Sequence, residues 1–281
     1  MKGRILTSEA TQTFKKYLRE EEKSENTIEK YIRDVRAFMA FTDGNEITKD
    51  TVIAYKNKLL SENYAVRSIN SMLASLNSLF AFLGWSDCRV KSIKFQRQIY
   101  CSEDKELTKA EYTRLVNAAK QKGNGRLNLV LQTICGTGIR VSELQYITVE
   151  AVKSGEAVVS LKGKTRTVFI VKELRQKLLH YAKFQNICTG VIFVTRSGRP
   201  MSRTNIWREM KNLCEQAGVN PQKVFPHNLR HLFARTFYGI EKDISKLADI
   251  LGHSNINTTR IYIIATGTEH RQRMENMRLI I

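Results

Sequence analysis

No apolar run in this sequence approaches the ~20 residues a helix needs to cross a bilayer, so no membrane-spanning helix is expected. The opening segment, MKGRILTSEA, lacks the uninterrupted apolar stretch of a signal peptide, and a cytoplasmic location is the expectation. The five cysteines, Cys88, Cys101, Cys135, Cys188 and Cys214, are odd in number, widely spaced and never arranged as C-x-x-C. That excludes a disulfide framework and a zinc ribbon, and leaves ordinary reduced thiols. Low-complexity tracts are also missing, as are the clustered carboxylates that a metal-dependent nuclease needs. Most informative is the shortage of acid: 27 Asp and Glu stand against 46 Lys and Arg, a net charge of +19.

Such an imbalance favours a polyanionic partner. Residues 1–100 carry 17 basic and 12 acidic side chains, and residues 101–281 carry 29 and 15, so the excess sits mainly in the second part. The cations are dispersed among apolar, periodic segments, which points to a charged surface on folded domains and not to a disordered arm. An anionic membrane surface would attract the same charge, but no strongly amphipathic basic helix with Trp or Phe anchors is present, so nucleic acid is the expected partner.

With 281 residues and 42% hydrophobic content, the chain can bury one large or two ordinary cores. Apolar residues at three and four spacing predict four helices, near 8–22, 26–41, 48–61 and 66–83. In the fourth, Ile69, Leu73, Leu76 and Phe80 form the apolar stripe, while Arg67, Ser68, Asn70, Ser71 and Asn77 lie elsewhere, as a solvated face or as DNA contacts. Periodicity then fades through a charged connector. Thr108 with Glu111 is a capping box that opens the second part. There, helices are predicted near 108–120, 126–136, 140–147, 172–186, 203–217, 227–239, 243–251, 256–263 and 268–278. EAVVSL and RTVFIV around the turn KGK read as a β-hairpin, and VIFV at 191–194 as a short strand. The expected fold is mainly α: a helical domain at 1–95, a linker at 96–106, and a mixed α+β domain at 107–281 with a small antiparallel sheet.

Three short motifs carry candidate chemistry. In PHNLRHLFART (226–236), Leu229, Leu232, Phe233 and Thr236, with Phe237 just beyond, make a core-facing stripe, and His227, Arg230 and His231 are predicted on the opposite side. Two histidines four apart invite a zinc reading. The arginine between them argues against it, because a fixed cation repels a dication, and Asn228 stands where a metalloprotease helix has its Glu. The same side chains suit an anion, which Arg forks onto, or a plain solvated face. In TGIRVSEL, Gly138 lets the backbone turn and Arg140 occupies a helix start that normally prefers an acid. A docked anion would explain it, with Glu143 orienting the guanidinium; a surface Arg140–Glu143 pair is the plainer reading. In LADILGHSNINTTRIYI, Gly252 closes a helix, a tight turn displays His253, and a short helix follows with Tyr262, which taken alone is a packed aromatic.

Taken in order, TGIRVSEL, the hairpin lysine, HNLRH, LGHSNINTT and a Tyr nine residues beyond that histidine resemble the tyrosine recombinase (phage integrase) family. The likeness is specific from about Thr108 onward; before that it is architectural, similar to the four-helix, SAM-like core-binding domain of Xer-type recombinases. The resemblance implies a two-domain DNA clamp and a site-specific recombinase or integrase that cuts and rejoins strands through a covalent 3′-phosphotyrosine. It assigns Arg140, Lys162, His227, Arg230 and His253 to the phosphate and Tyr262 as nucleophile, with His231 in support. The KGKTRTVFI loop is one residue shorter than the common form, which makes Lys164 a rival for Lys162. Lys162, following EAVVSL directly, is the expected general acid, and Lys164 a backbone-phosphate contact. The implied partner is double-stranded DNA, engaged as a homo-tetramer, with a monomer admissible in solution and no cofactor or metal. The alternatives are a type IB topoisomerase-like enzyme, which shares the chemistry without recombining, and a non-catalytic DNA-binding protein.

Overall fold

The computed structural model describes residues 4–94, 105–161, 163–263 and 274–277. The chain divides into two compact units, Met1–Arg97 and Gln98–Ile281. In the first, α1 (Ser8–Glu20), α2 (Glu25–Thr42), α3 (Lys49–Ser61) and α4 (Val66–Phe82) enclose a core of Phe14, Leu18, Val35, Phe38, Val52, Ile69, Leu76 and Phe80. Local chemistry sets the boundaries. The Thr7 side chain caps α1, and Thr48 with Thr51 forms a reciprocal cap on α3. The apolar stripe predicted on α4 is buried throughout. Two of its polar residues are not free surface: Asn70 exchanges hydrogen bonds with the Ile93 backbone at 2.9 and 2.7 Å, and Asn77 with that of Val90 at 2.9 and 3.1 Å. These amides satisfy a departing segment that has no sheet or helix partner. Inside the same unit Asp34, 4% exposed, is neutralised by Lys30 at 2.7 Å and accepts from Ser75 at 2.9 Å.

The first helix of the second unit opens on the Thr108–Glu111 capping box. It contains α5 (Lys109–Gln121), α6 (Gly125–Thr137), α7 (Val149–Ser154), α8 (Lys172–Phe184), α9 (Arg203–Lys211), α10 (Cys214–Ala217), α11 (Pro226–Glu241), α12 (Ile244–Leu251) and α13 (Ile256–Arg260). A two-stranded antiparallel hairpin, β1 (Glu156–Leu161) and β2 (Lys164–Phe169), pairs from Glu156↔Phe169 to Leu161↔Lys164. Ala157, Val159, Val168 and Ile170 point inward to the core.

Four sequence expectations change. The predicted helix at 140–147 is a 3-10 helix, Val141–Tyr146. The helix predicted over 203–217 is broken into α9 and α10, and α7 was not anticipated. VIFV forms no strand; Val191 and Val194 make only single bridges, to Thr148 and Pro200, because each meets a one-residue partner and not an extended edge. Of the helix expected at 268–278, only 274–277 lie within the described residues, 274–276 of them helical.

Candidate active site

The helix α11 is where the sequence pattern and the structure part. Leu229 enters the main core as expected, but Arg230, predicted on the side opposite the core stripe, is 2% exposed and ranks among the largest fully buried side chains. The reason is that α11 is covered on both sides: it packs on α6, and a second cluster of Ala234, Leu247, Leu251 and Tyr262 closes over it from α12 and the chain beyond.

Arg230 spends its donors on backbone and imidazole. Nη1 donates to Gly138 O, Nη2 to Leu251 O at 2.7 Å and to His253 Nε2 at 3.0 Å, while Nε is buried without a partner among the described residues. Burial, helped by the Arg140 charge and opposed by the nearby Tyr262 hydroxyl, pulls this guanidinium down to about 10. A cation placed so is costly to the fold, and an anion would relieve it. Gly138, with φ 66, ends α6 and turns its carbonyl toward the arginine; a Cβ there would overlap the Phe233 ring.

Because an arginine can only donate, the bond from Arg230 fixes His253 Nε2 as acceptor, so Nδ1 carries the proton and donates to Thr259 Oγ1 at 2.9 Å. Thr259 is fully buried. Burial and the charges of Arg230, Arg140 and Arg166 depress the His253 imidazole to about 4. Tyr262 sits on the 3-10 turn Ile261–Ile263, 5% exposed, its ring centroid 5.3 Å from His227, 5.1 Å from His231 and 5.4 Å from His253. His231 Nε2 donates to Ile261 O at 3.3 Å, which tethers the turn that presents the phenol. Burial lowers both His227 and His231, His227 further through the charges of Arg230, Arg140 and Arg203.

Arg140 is the N-cap of the 3-10 helix and solves its electrostatic conflict through Glu143. The carboxylate accepts from Arg140 N at 2.9 Å and from Nη1 at 2.8 Å, and also from Arg166 Nη2 at 2.7 Å. Burial alone would raise the Glu143 carboxyl; the hydrogen bonds from Arg140 and the two guanidinium charges outweigh it and hold it low. One acid thus serves two arginines, with Arg230 nearby as a third cation. An open cleft of ≈ 360 Å³ lies over this cluster, lined by Arg140, Ser142, Arg203, Trp207, His227 and Arg230.

The structure therefore gathers Arg140, Glu143, His227, Arg230, His231, His253 and Tyr262 in one place. Lys162 lies outside the described residues, and of Lys164 the backbone is placed at the start of β2. Among the described residues no group of three or more His, Cys, Asp or Glu side chains is arranged to hold a metal ion. Arg166, Arg203 and Trp207 are absent from the sequence-based set. Arg166 carried a usable signal, a charge at an inward position of an alternating strand; the other two carried none, being ordinary residues on an amphipathic helix.

Comparison with known proteins identifies the family. The phage integrase family model matches residues 105–268, and the phage integrase N-terminal SAM-like domain model matches residues 11–87. Tyrosine recombinase XerA of Pyrococcus horikoshii is 31% identical over 283 residues, covering 98% of this chain and 96% of its own. Tyrosine recombinase XerD of Vibrio cholerae is 25% identical, over 90% of each. Among solved structures, XerA recombinase aligns at 25% identity over 98% of this chain and 100% of its own, with TM-score 0.53. The Tn1549 transposon integrase in complex with transposon right end DNA aligns at 19% identity over 97% and 99%, TM-score 0.70, a likeness of fold. By family models that span both units and by a relative matched nearly end to end, this chain belongs to the phage integrase family, as a site-specific tyrosine recombinase that transfers DNA strands.

Proposed function

We propose that Arg140, His227, Arg230 and His253 bind the scissile phosphate of a DNA duplex and that Tyr262 attacks it. The observation that carries this is Arg230: a buried cation that meets two carbonyls and an imidazole, near the hydroxyl of a tyrosine whose ring packs among three histidines. A phosphodiester is a poor electrophile with an alkoxide leaving group, so attack needs charge neutralised on the non-bridging oxygens and a proton for the departing one. The arginines supply the first. His253 Nε2, an acceptor in the free protein, becomes a donor to phosphate once it takes up a proton. Lys162 donates to the 5′ oxygen, and Lys164 contacts the backbone. The Tyr262 oxygen attacks the phosphorus as the 5′ oxygen leaves, and the bond energy is kept as a 3′-phosphotyrosine. Metal and cofactor have no part in these steps.

The 1–95 domain serves as the core-binding half and 107–281 as the catalytic half, joined by the 96–106 linker and closing on the duplex as a clamp. Exchange of both strands between two duplexes takes four cuts, one per nucleophile, hence a homo-tetramer on DNA. Action on DNA puts the enzyme in the cytoplasm. The topoisomerase-like and non-catalytic readings are not favoured, since the full-length relatives carry recombinase names.

The test is to trap protein on genomic DNA of its source with denaturant and map the attachment points. The expected outcome is a covalent adduct at a discrete site with wild type, and none with Tyr262→Phe, which should still bind the recovered duplex. Adduct persisting in Tyr262→Phe moves the nucleophile elsewhere.

A further inference from the structure

We propose that Arg166 is a positioning residue of this reaction, holding the lysine-bearing hairpin and the His253 turn against Arg140. The inference rests on the site reading above. Arg166 stands in β2 opposite Val159, on the inward face with Val168 and Ile170. A cation facing inward from a strand must have its charge answered, and two different elements answer it. Nη2 donates to Glu143 Oε2 at 2.7 Å, in the 3-10 turn headed by Arg140; Nη1 donates to Ile250 O at 2.8 Å, at the end of α12. The next turn is Gly252–His253. Gly252 has φ 64, and a Cβ on it would overlap the Arg166 side chain, so the turn presenting His253 rests on the arginine's own stem. Arg140 Nη2 reaches the Gly252 carbonyl at 3.5 Å and closes the circuit.

Three elements that carry assigned chemistry are thereby joined through one side chain: the hairpin of Lys162, the turn of Arg140, and the turn of His253. A planar fork suits this, because its two terminal nitrogens donate to acceptors on separate elements, whereas a lysine would have to reach both from one nitrogen. Arg166 is not among the residues lining the cleft, so it acts through its neighbours and not on phosphate. A shift of about 1 Å in a reacting group costs on the order of 10²-fold in rate, the size of effect expected here.

Arg166→Lys and Arg166→Ala are compared with wild type on the duplex recovered by adduct mapping. Both should bind it normally and form adduct ~10²-fold more slowly, the lysine variant included because charge alone does not restore the two bonds. Two readouts separate positioning from a general loss of folded protein. A duplex with sulfur at the 5′ bridging position should recover part of the deficit, since the misplaced hairpin lysine is no longer needed. The His253 imidazole, followed by NMR, should titrate at higher pH in Arg166→Ala, because one of the cations depressing it is gone. If Arg166→Ala does not fold, the sulfur rescue in Arg166→Lys decides. Wild-type rates in the variants, or slow rates with neither sulfur rescue nor a His253 shift, overturn this proposal alone. Adduct formation independent of Tyr262 overturns the site reading and this proposal with it.

Discussion

If the buried Arg230 guanidinium serves a phosphate and not the fold, Arg230→Met should damage catalysis far more than stability. Two structural terms of opposite sign set the stability change. The guanidinium is depressed from 12.5 to about 10, which at ~1.4 kcal/mol per unit makes the cation a burden of roughly 3 kcal/mol on the free protein, relieved by methionine. Against this, Gly138 O and Leu251 O lose their donor, at ~1–3 kcal/mol for each buried acceptor left unpaired, while His253 Nε2, only half-buried, loses the same donor where water can replace it. The terms nearly offset, so the unfolding free energy should change by no more than ~3 kcal/mol. Catalysis has no such compensation: removing one preorganised donor to a developing oxyanion costs ~10²–10³ in rate. Urea melts and single-turnover adduct formation on the mapped duplex measure the two quantities, with a gel shift for affinity. A variant that melts far below wild type while its remaining folded fraction cleaves at the wild-type rate would refute the reasoning and make Arg230 a structural residue.

Lys162→Ala should be slow on ordinary DNA and largely restored on a 5′-bridging sulfur substrate, whereas Lys164→Ala should show only weakened, salt-sensitive binding; rescue of Lys164→Ala instead would shift the general acid by two residues. Duplex affinity should fall steeply with salt, at a slope of ~0.9 per phosphate neutralised, and a nearly flat log–log plot would remove the model of a duplex wrapped by cations. His253, depressed from 6.5 to about 4, binds fewer protons folded than unfolded across that window. Its contribution to stability is therefore complete above 6.5 and lost as pH falls toward 4, and urea midpoints of wild type minus His253→Gln should trace that loss; a difference independent of pH would show that the imidazole is not held neutral.

Much of this protein was legible in the chain. The capping residues Thr48 and Thr108, the i, i+3, i+4 stripe of Ile69, Leu73, Leu76 and Phe80, and the alternation of β1 and β2 are local rules, satisfied within one or two turns, and the structure keeps each of them. The resemblance carried by the ordered motifs also assigned Arg140, His227, Arg230, His253 and Tyr262 as candidates, where each motif alone allowed a plainer reading. Tertiary structure decided the rest. Periodicity placed Arg230 opposite the core stripe and left open whether that side is solvated, since a single helix cannot show that α12 and the Tyr262 turn cover its second side. Nor could it show that Asn70 and Asn77 are spent on the backbone of a departing segment, or that one carboxylate, Glu143, would serve arginines from two elements. Apart from Arg140–Glu143, those pairings join residues 13 to 23 positions apart, beyond the reach of helical or strand periodicity, and burial is fixed by what packs from still further along the chain.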